Sequence, residues 1–252
     1  MEAGQGCLLS SASPGRARGN QGRKTYWLMS VVISIFDRTG NMVKPWAEAG
    51  YTCYCVDLQH PAGETREGNI IKVGTDLMDW MPPREQVKVF FAFPPCTDVA
   101  VSGARWFKDK GLGALIKALT LFDRAVKLAE WCGAPYMIEN PVCTVSTYWR
   151  KPDAKFQPWM YGDDYTKETW LWTGNGFPMP MPELTKAPEG VSQKIWLMPP
   201  SPERANLRSA TPMGFANAVF RAFHKERITA NETLTSPERA RAGGIAETNA
   251  AP

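Results

Sequence analysis

A cysteine and a glutamate carry the chemistry that this sequence is able to do. Cys96 ends the stretch Ala92-Phe93-Pro94-Pro95-Cys96, and Glu139 opens Glu139-Asn140-Pro141 further along the chain. A thiol can add to an electron-poor carbon, and a carboxyl group can donate or hold the proton that such an addition needs. Taken singly, each has a plainer reading. A lone cysteine usually behaves as a small buried hydrophobe, and a glutamate at the end of a strand is commonly a solvated charge or a cap. Their order and shared setting make the pair read as nucleophile and proton donor.

That setting comes from the elements around them. Val87-Lys88-Val89-Phe90-Phe91 is short, rich in β-branched and aromatic residues, and halted by Pro94 and Pro95, which fix φ and cannot extend a ladder. It reads as a buried strand, so Cys96 falls just past a strand's carboxyl end, where open α/β sheets bind ligands. Tyr136-Met137-Ile138 reads as a second strand running into Glu139. Upstream, Val31-Val32-Ile33-Ser34-Ile35-Phe36 is an apolar run of the buried parallel-strand type. Asp37-Arg38-Thr39-Gly40-Asn41 follows as a turn, then a helix over 42–50 closed by Gly50, then the strand Tyr51-Thr52-Cys53-Tyr54-Cys55-Val56 ending in Asp57. A polar glycine-containing turn after strand one and an acid after strand two is the layout of a Rossmann-like nucleotide site. Asn69-Ile70-Ile71-Lys72-Val73 predicts a third strand, followed by Gly74-Thr75-Asp76-Leu77. Leu115, Leu119, Phe122, Val126 and Ala129 recur at helical spacing and predict a helix over 113–132 that packs on the core. A last helix begins at Ala210-Thr211-Pro212-Met213-Gly214 and offers Phe215, Ala218, Val219 and Ala222 as its apolar face.

With 252 residues the chain can hold one sizeable α/β domain with extensions. The composition divides it into a disordered N-terminal extension (1–28), a catalytic core (29–143), a proline- and tryptophan-rich lid or recognition region (144–210), a closing helix (211–225) and a disordered tail (226–252). Met29 stands directly before the first core strand, and translation starting there is an expectation. The net charge of +4 permits a polynucleotide partner without requiring one. The six cysteines, at 7, 53, 55, 96, 132 and 143, show no zinc-type pairing, so reduced thiols and no metal are expected. That suits the cytoplasm. No apolar run reaches the ~18 residues of a membrane span, and no signal-peptide core stands at the N-terminus. A monomer without membrane partners is expected.

In this order the motifs resemble the cytosine-C5 DNA methyltransferase family over about residues 31–223, in the manner of its small phage or prokaryotic members. Phe93-Pro94-Pro95-Cys96, with Ser102-Gly103 downstream, is similar to the family's nucleophile motif, and Glu139-Asn140-Pro141 to its Glu-Asn-Pro motif. Phe36, Gly40, Ala49 and Gly50 resemble the opening S-adenosylmethionine loop and helix. Tyr161-Gly162 through Thr169 resembles a later basic motif, and Gly214 with Asn217-Ala218-Val219 the closing helix.

The resemblance implies an α/β, Rossmann-like S-adenosylmethionine-dependent methyltransferase fold, with a mostly parallel sheet and a small loop-rich lid. It implies S-adenosyl-L-methionine as cofactor, contacted by Phe36, Asp37, Arg38, Thr39, Gly40, Asp57, Asp76, Pro94 and Asn217. It implies cytosine-containing DNA as partner, met by Pro95, Ser102, Asn140, Pro141, Lys167 and Thr169, and chemistry by Cys96 and Glu139. If phage-encoded, the protein acts in the host cytoplasm. Three departures qualify this. Asp37-Arg38-Thr39 stands where the family places small residues and a further glycine, so Arg38 either pairs with the donor's carboxylate, signals a modified donor, or is a solvated charge. Lys167 and Thr169 stand near where the family carries two arginines, and lysine lacks the bidentate fork. The recognition region is short, which points to a short or relaxed target sequence. The same chemistry on RNA, on single-stranded DNA or on a free nucleotide stays open, as does a binding protein that kept the fold.

Overall fold

Five parallel strands form the middle of the sheet, and the central ones are apolar on both faces and covered on both. They are β1 (Val31–Ile35), β2 (Thr52–Val56), β4 (Ile70–Gly74), β5 (Val87–Ala92) and β6 (Tyr136–Pro141). Every residue of β1 is buried. Three further strands, β3 (Gly63–Glu67), β7 (Ala154–Phe156) and β8 (Thr169–Gly174), complete an eight-stranded sheet in the order β3-β4-β2-β1-β5-β6-β8-β7. β3 pairs antiparallel to β4, and β8 antiparallel to both β6 and β7. The order of the parallel strands reverses between β1 and β5, the switch point at which doubly wound sheets open a crevice. The architecture is α/β and Rossmann-like, with the mostly parallel sheet expected. This computed structural model describes residues 30–234, with side chains to residue 224. The expected N-terminal extension with Cys7, the start at Met29 and the tail beyond 234 lie outside them.

Helices cover the two faces. On one, α2 (Phe107–Cys132) lays Ala118, Phe122, Ala125 and Ala129 on the sheet. On the other, α1 (Lys44–Glu48) and the closing helix α6 (Met213–Leu234) bury Trp46, Phe215 and Val219. Between them come three shorter helices: α3 (Val145–Tyr148), α4 (Lys194–Leu197) and α5 (Arg204–Ser209). Phe215 is 1% exposed and stacks on Phe156 with ring centroids 4.0 Å apart. Burying such a side chain contributes about 1.5–3 kcal/mol.

The structure differs from expectation in four places. Residues 144–210 are not all lid, since β7 and β8 join the core sheet. The polar stretch after 225 is not all tail, because α6 continues to Leu234. α2 starts earlier than 113 but is broken at Gly111, whose φ of 74° and ψ of 177° are not helical. β3 was not expected at all, being wholly exposed and charged, as edge strands often are.

Two glycines test the packing in opposite senses. A Cβ on Gly214 would stand 2.0 Å from the Tyr161 carbonyl oxygen, so alanine there must push α6 off the turn beneath it. Gly113 lies inside α2 with nothing within 4 Å of the same atom. Gly214→Ala should cost about 1–3 kcal/mol, lowering the melting midpoint by roughly 2–12 °C. Gly113→Ala should add about 0.5–1 kcal/mol. Thermal melts of the two variants check the pair.

Candidate active site

Cys96 and Glu139 come from neighbouring parallel strands and from the same end of the sheet. β5 pairs with β6 through Phe90 to Tyr136, Phe91 to Met137 and Ala92 to Ile138, so both chains leave the sheet side by side. Beyond the strand ends the two loops are tied together. Asn140 is fully buried, and its Nδ2 donates to the Pro94 carbonyl at 2.9 Å. Ala100 bridges to Cys143, Val101 N donates to Val142 O, and Thr144 N donates to Val99 O. The Cys96 carbonyl accepts from Val99 N and Ala100 N, which closes its turn. The prolines and Asn140 therefore fix where the thiol stands.

The electrostatics are those of a partly dry pocket. Glu139 and Lys167 side chains are only 12% and 14% exposed, and Lys167 Nζ lies 3.3 Å from Glu139 Oε1. That approach is an ion pair without hydrogen-bond alignment, so Oε1 is buried with no hydrogen-bond partner among the described residues. An acceptor left in that state costs free energy until a ligand satisfies it. Burial pushes the Cys96 thiol up from its usual range, and the Glu139 charge pushes it further. Lys167 and the Arg208 guanidinium of α5 oppose this. Burial drives the other described thiols up too, Cys53 and Cys132 to about 12 and Cys143 to about 11. Cys96 is the one that shares its surroundings with an acid and two cations.

The loop after β1 is built around Asp37. Its carboxylate turns inward and accepts from Ser34 Oγ at 2.7 Å, Gly40 N at 2.7 Å and Thr39 Oγ1 at 3.1 Å. Burial pushes its carboxyl up against the effect of those hydrogen bonds. Asp37 thus holds the turn and does not face the crevice. Phe36, at φ 56°, and Gly40, at φ 67°, make the reversal that brings the backbone across the strand end. Arg38 leaves the crevice and pairs with Glu203 at 3.0 Å on the surface. Asp57 is buried after β2, accepts from Gln59 N and keeps its second carboxylate oxygen for other partners. Asp76 is exposed after β4 and accepts from Met78 N.

The remaining expected residues fall in three places. Pro94 is buried, while Pro95 and Ser102 are exposed on the Cys96 loop. Thr169 is buried, with its hydroxyl on the Lys167 carbonyl, so it shapes the lysine's turn and offers no side-chain donor. Lys167 N is held by Gln157 Oε1 at 2.8 Å. Asn217 is half-buried on α6, whose start is joined to the β1 loop by Asn41 Nδ2 on the Thr211 carbonyl. Two residues went unread in the sequence. His60 Nε2 lies 3.2 Å from the Asp37 carbonyl and arches over the β1 loop. Arg208 acts on the cysteine electrostatically from a short helix with no motif around it.

No protein-family model matches the chain, and no curated protein matches it. Among solved structures the chain is similar to the CcbJ methyltransferase from Streptomyces caelestis, at 14% identity and a TM-score of 0.28. The match covers 57% of this chain and 59% of that one, so it spans less than two thirds of that protein.

Proposed function

We propose that the chain is a group-transfer enzyme acting on carbon 5 of cytosine in DNA, with Cys96 as nucleophile and Glu139 at ring N3. The observation that carries this reading is the placement of the two side chains at adjacent parallel strand ends, locked by Asn140 on the Pro94 carbonyl. Carbon 5 of cytosine is a poor nucleophile. Addition of the Cys96 sulfur to carbon 6 breaks the 5,6 double bond and makes carbon 5 electron-rich. The charge gathers on the ring, and a hydrogen bond between Glu139 and N3 stabilises it. Once carbon 5 carries its new group, loss of its proton restores the double bond and expels the thiolate. A base inside a duplex must leave its stack to reach this pocket.

S-adenosylmethionine, when bound, supplies an electrophilic methyl group. The crevice outside β1, β2 and β4 fits it. The reversal at Phe36 and Gly40 would present backbone to it, Asp57 would accept from ribose hydroxyls, and Asp76 would accept from an adenine amine. Asp57→Ala should weaken donor binding by about 1–3 kcal/mol, the value of a buried polar contact. Asp76→Ala should cost less, because Asp76 is exposed. Calorimetry with the donor measures both, and unchanged affinity in the two variants would remove them from the site.

Incubation with DNA containing 5-fluorocytosine tests the reaction itself. Fluorine cannot leave as a proton does, so a covalent protein–DNA band accumulates if Cys96 adds to the ring. Absence of that band with active donor-bound protein overturns the assignment.

A further inference from the structure

Beside the Cys96 loop lies a second cavity that the proposed reaction does not use. Its volume is about 330 Å³, and it is lined by Asp98, Lys108, Lys110, Leu112, Thr144 and Tyr148 among others. This is within the size range of small-ligand pockets. Asp98 follows Cys96 by two residues, so the wall of this cavity is within about 7 Å of chain from the thiol. Thr144 and Tyr148, also on its lining, belong to the segment after Glu139. Gly111, where α2 is broken, also lines the cavity. Thr144 Oγ1 is buried with no hydrogen-bond partner among the described residues.

The rim is apolar and aromatic where a protein surface is ordinarily polar. Leu112 and Tyr148 on its lining are 70% and 62% exposed, and Trp106, next in the chain to the lining residue Phe107, is 51% exposed. Cations stand over the neighbouring rings: Arg105 lies 5.0 Å from the Trp106 ring centre, and Arg150 4.5 Å from that of Trp149. Lys108 and Lys110 line the cavity itself, and Lys110 is held by Asp98 Oδ1 and the Thr97 carbonyl. Flat exposed rings interleaved with cations are what an unstacked base and its phosphate require. A duplex hides its base faces and gives such rings nothing to stack on.

We propose that the polynucleotide bound here is single-stranded, and that this cavity takes the nucleotide next to the one at Cys96. The base packs on Tyr148 and Leu112, its edge meets the Thr144 hydroxyl, and its phosphates meet Lys108 and Arg105. The proposal rests on the reading of Cys96 and Glu139 as a nucleobase site, but its test does not.

The test uses oligo(dT), which contains no cytosine, with a duplex of equal length and oligo(U) beside it. Affinity is read by anisotropy of labelled strands, for the whole chain and for Tyr148→Ala, Tyr148→Phe and Leu112→Asp. The single strands should bind more tightly than the duplex. Tyr148→Ala should weaken them roughly 5- to 150-fold, the ~1–3 kcal/mol of one stacked base, and Tyr148→Phe should not. Preference for oligo(dT) or for oligo(U) each supports the proposal and names the sugar. Duplex binding as tightly as single strands overturns it, as does unchanged affinity in both Tyr148→Ala and Leu112→Asp. A concentration-dependent dimer lost in Leu112→Asp, without strand binding, overturns it and assigns the face to a second copy. A failed 5-fluorocytosine trap alongside normal oligo(dT) binding would instead overturn the cytosine chemistry alone.

Discussion

Cys96→Ser should lose all measurable turnover and all covalent trapping, yet bind the donor as the parent protein does. The turn that holds residue 96 is made by its backbone, whose carbonyl accepts from Val99 N and Ala100 N, and by Asn140 on Pro94. Serine keeps every one of those bonds. The proposed donor site lies at the ends of β1, β2 and β4, on the other side of the switch point. What serine loses is the nucleophile, because a hydroxyl is far harder to ionise than a thiol. Cys132→Ser is the companion variant. Cys132 ends α2, away from both loops, so its replacement should leave turnover within a few-fold. Methylation surviving in Cys96→Ser, measured by nucleoside mass spectrometry of the product DNA, would sink the covalent mechanism.

The middle of the sheet was legible because parallel strands covered on both faces must be apolar on both. VVISI and VKVFFA admit few other readings. The edges were not legible for the opposite reason. β3, GETRE, is exposed at every position, so no burial pattern marks it. β8, TWLWTG, has a short apolar run, but its tryptophans lie among prolines and read as a loop-rich subdomain. In the fold Trp172 is fully buried against Phe122, while Trp170 packs at the core's margin. The run of α6 past residue 225 was missed because its polar composition looks like a tail. Yet that stretch contains no glycine or proline to stop a helix already under way.

At the site, Cys96 and Glu139 were readable from short strands with abrupt ends. Asp37 was readable as polar loop chemistry but not as inward-facing, since that depends on where Ser34 and the Gly40 amide point. Arg38 carried three readings in the sequence, and its pairing with Glu203 depends on a segment distant in the chain. Arg208 had no local signal at all. Its charge bears on the thiol only through the fold, since Cys96 lies far upstream in the chain.

Glu139→Gln should change two rates in opposite directions. Turnover should fall by roughly the 10²–10⁴-fold typical of a lost general acid–base group, because glutamine retains the shape and can donate a hydrogen bond to N3 but has no acidic proton to transfer to it. Alkylation of Cys96 by iodoacetamide should become faster. The sign follows from the charges. The thiol is raised first by burial and then by the Glu139 carboxylate, while Lys167 and Arg208 lower it. Removing the carboxylate removes a raising influence and leaves both lowering ones, so at any fixed pH below the thiol's titration more thiolate is present. The alkylation profile should shift to lower pH in Glu139→Gln. Lys167→Met removes a cation and should shift it to higher pH, and Arg208→Met should shift it the same way. A structural role for Glu139 predicts none of this ordering, because a loosened loop would expose the thiol in all three variants alike. Slower alkylation in Glu139→Gln, or a loss of turnover smaller than a few-fold, would remove Glu139 from the chemistry and leave its ion pair with Lys167 as a packing contact.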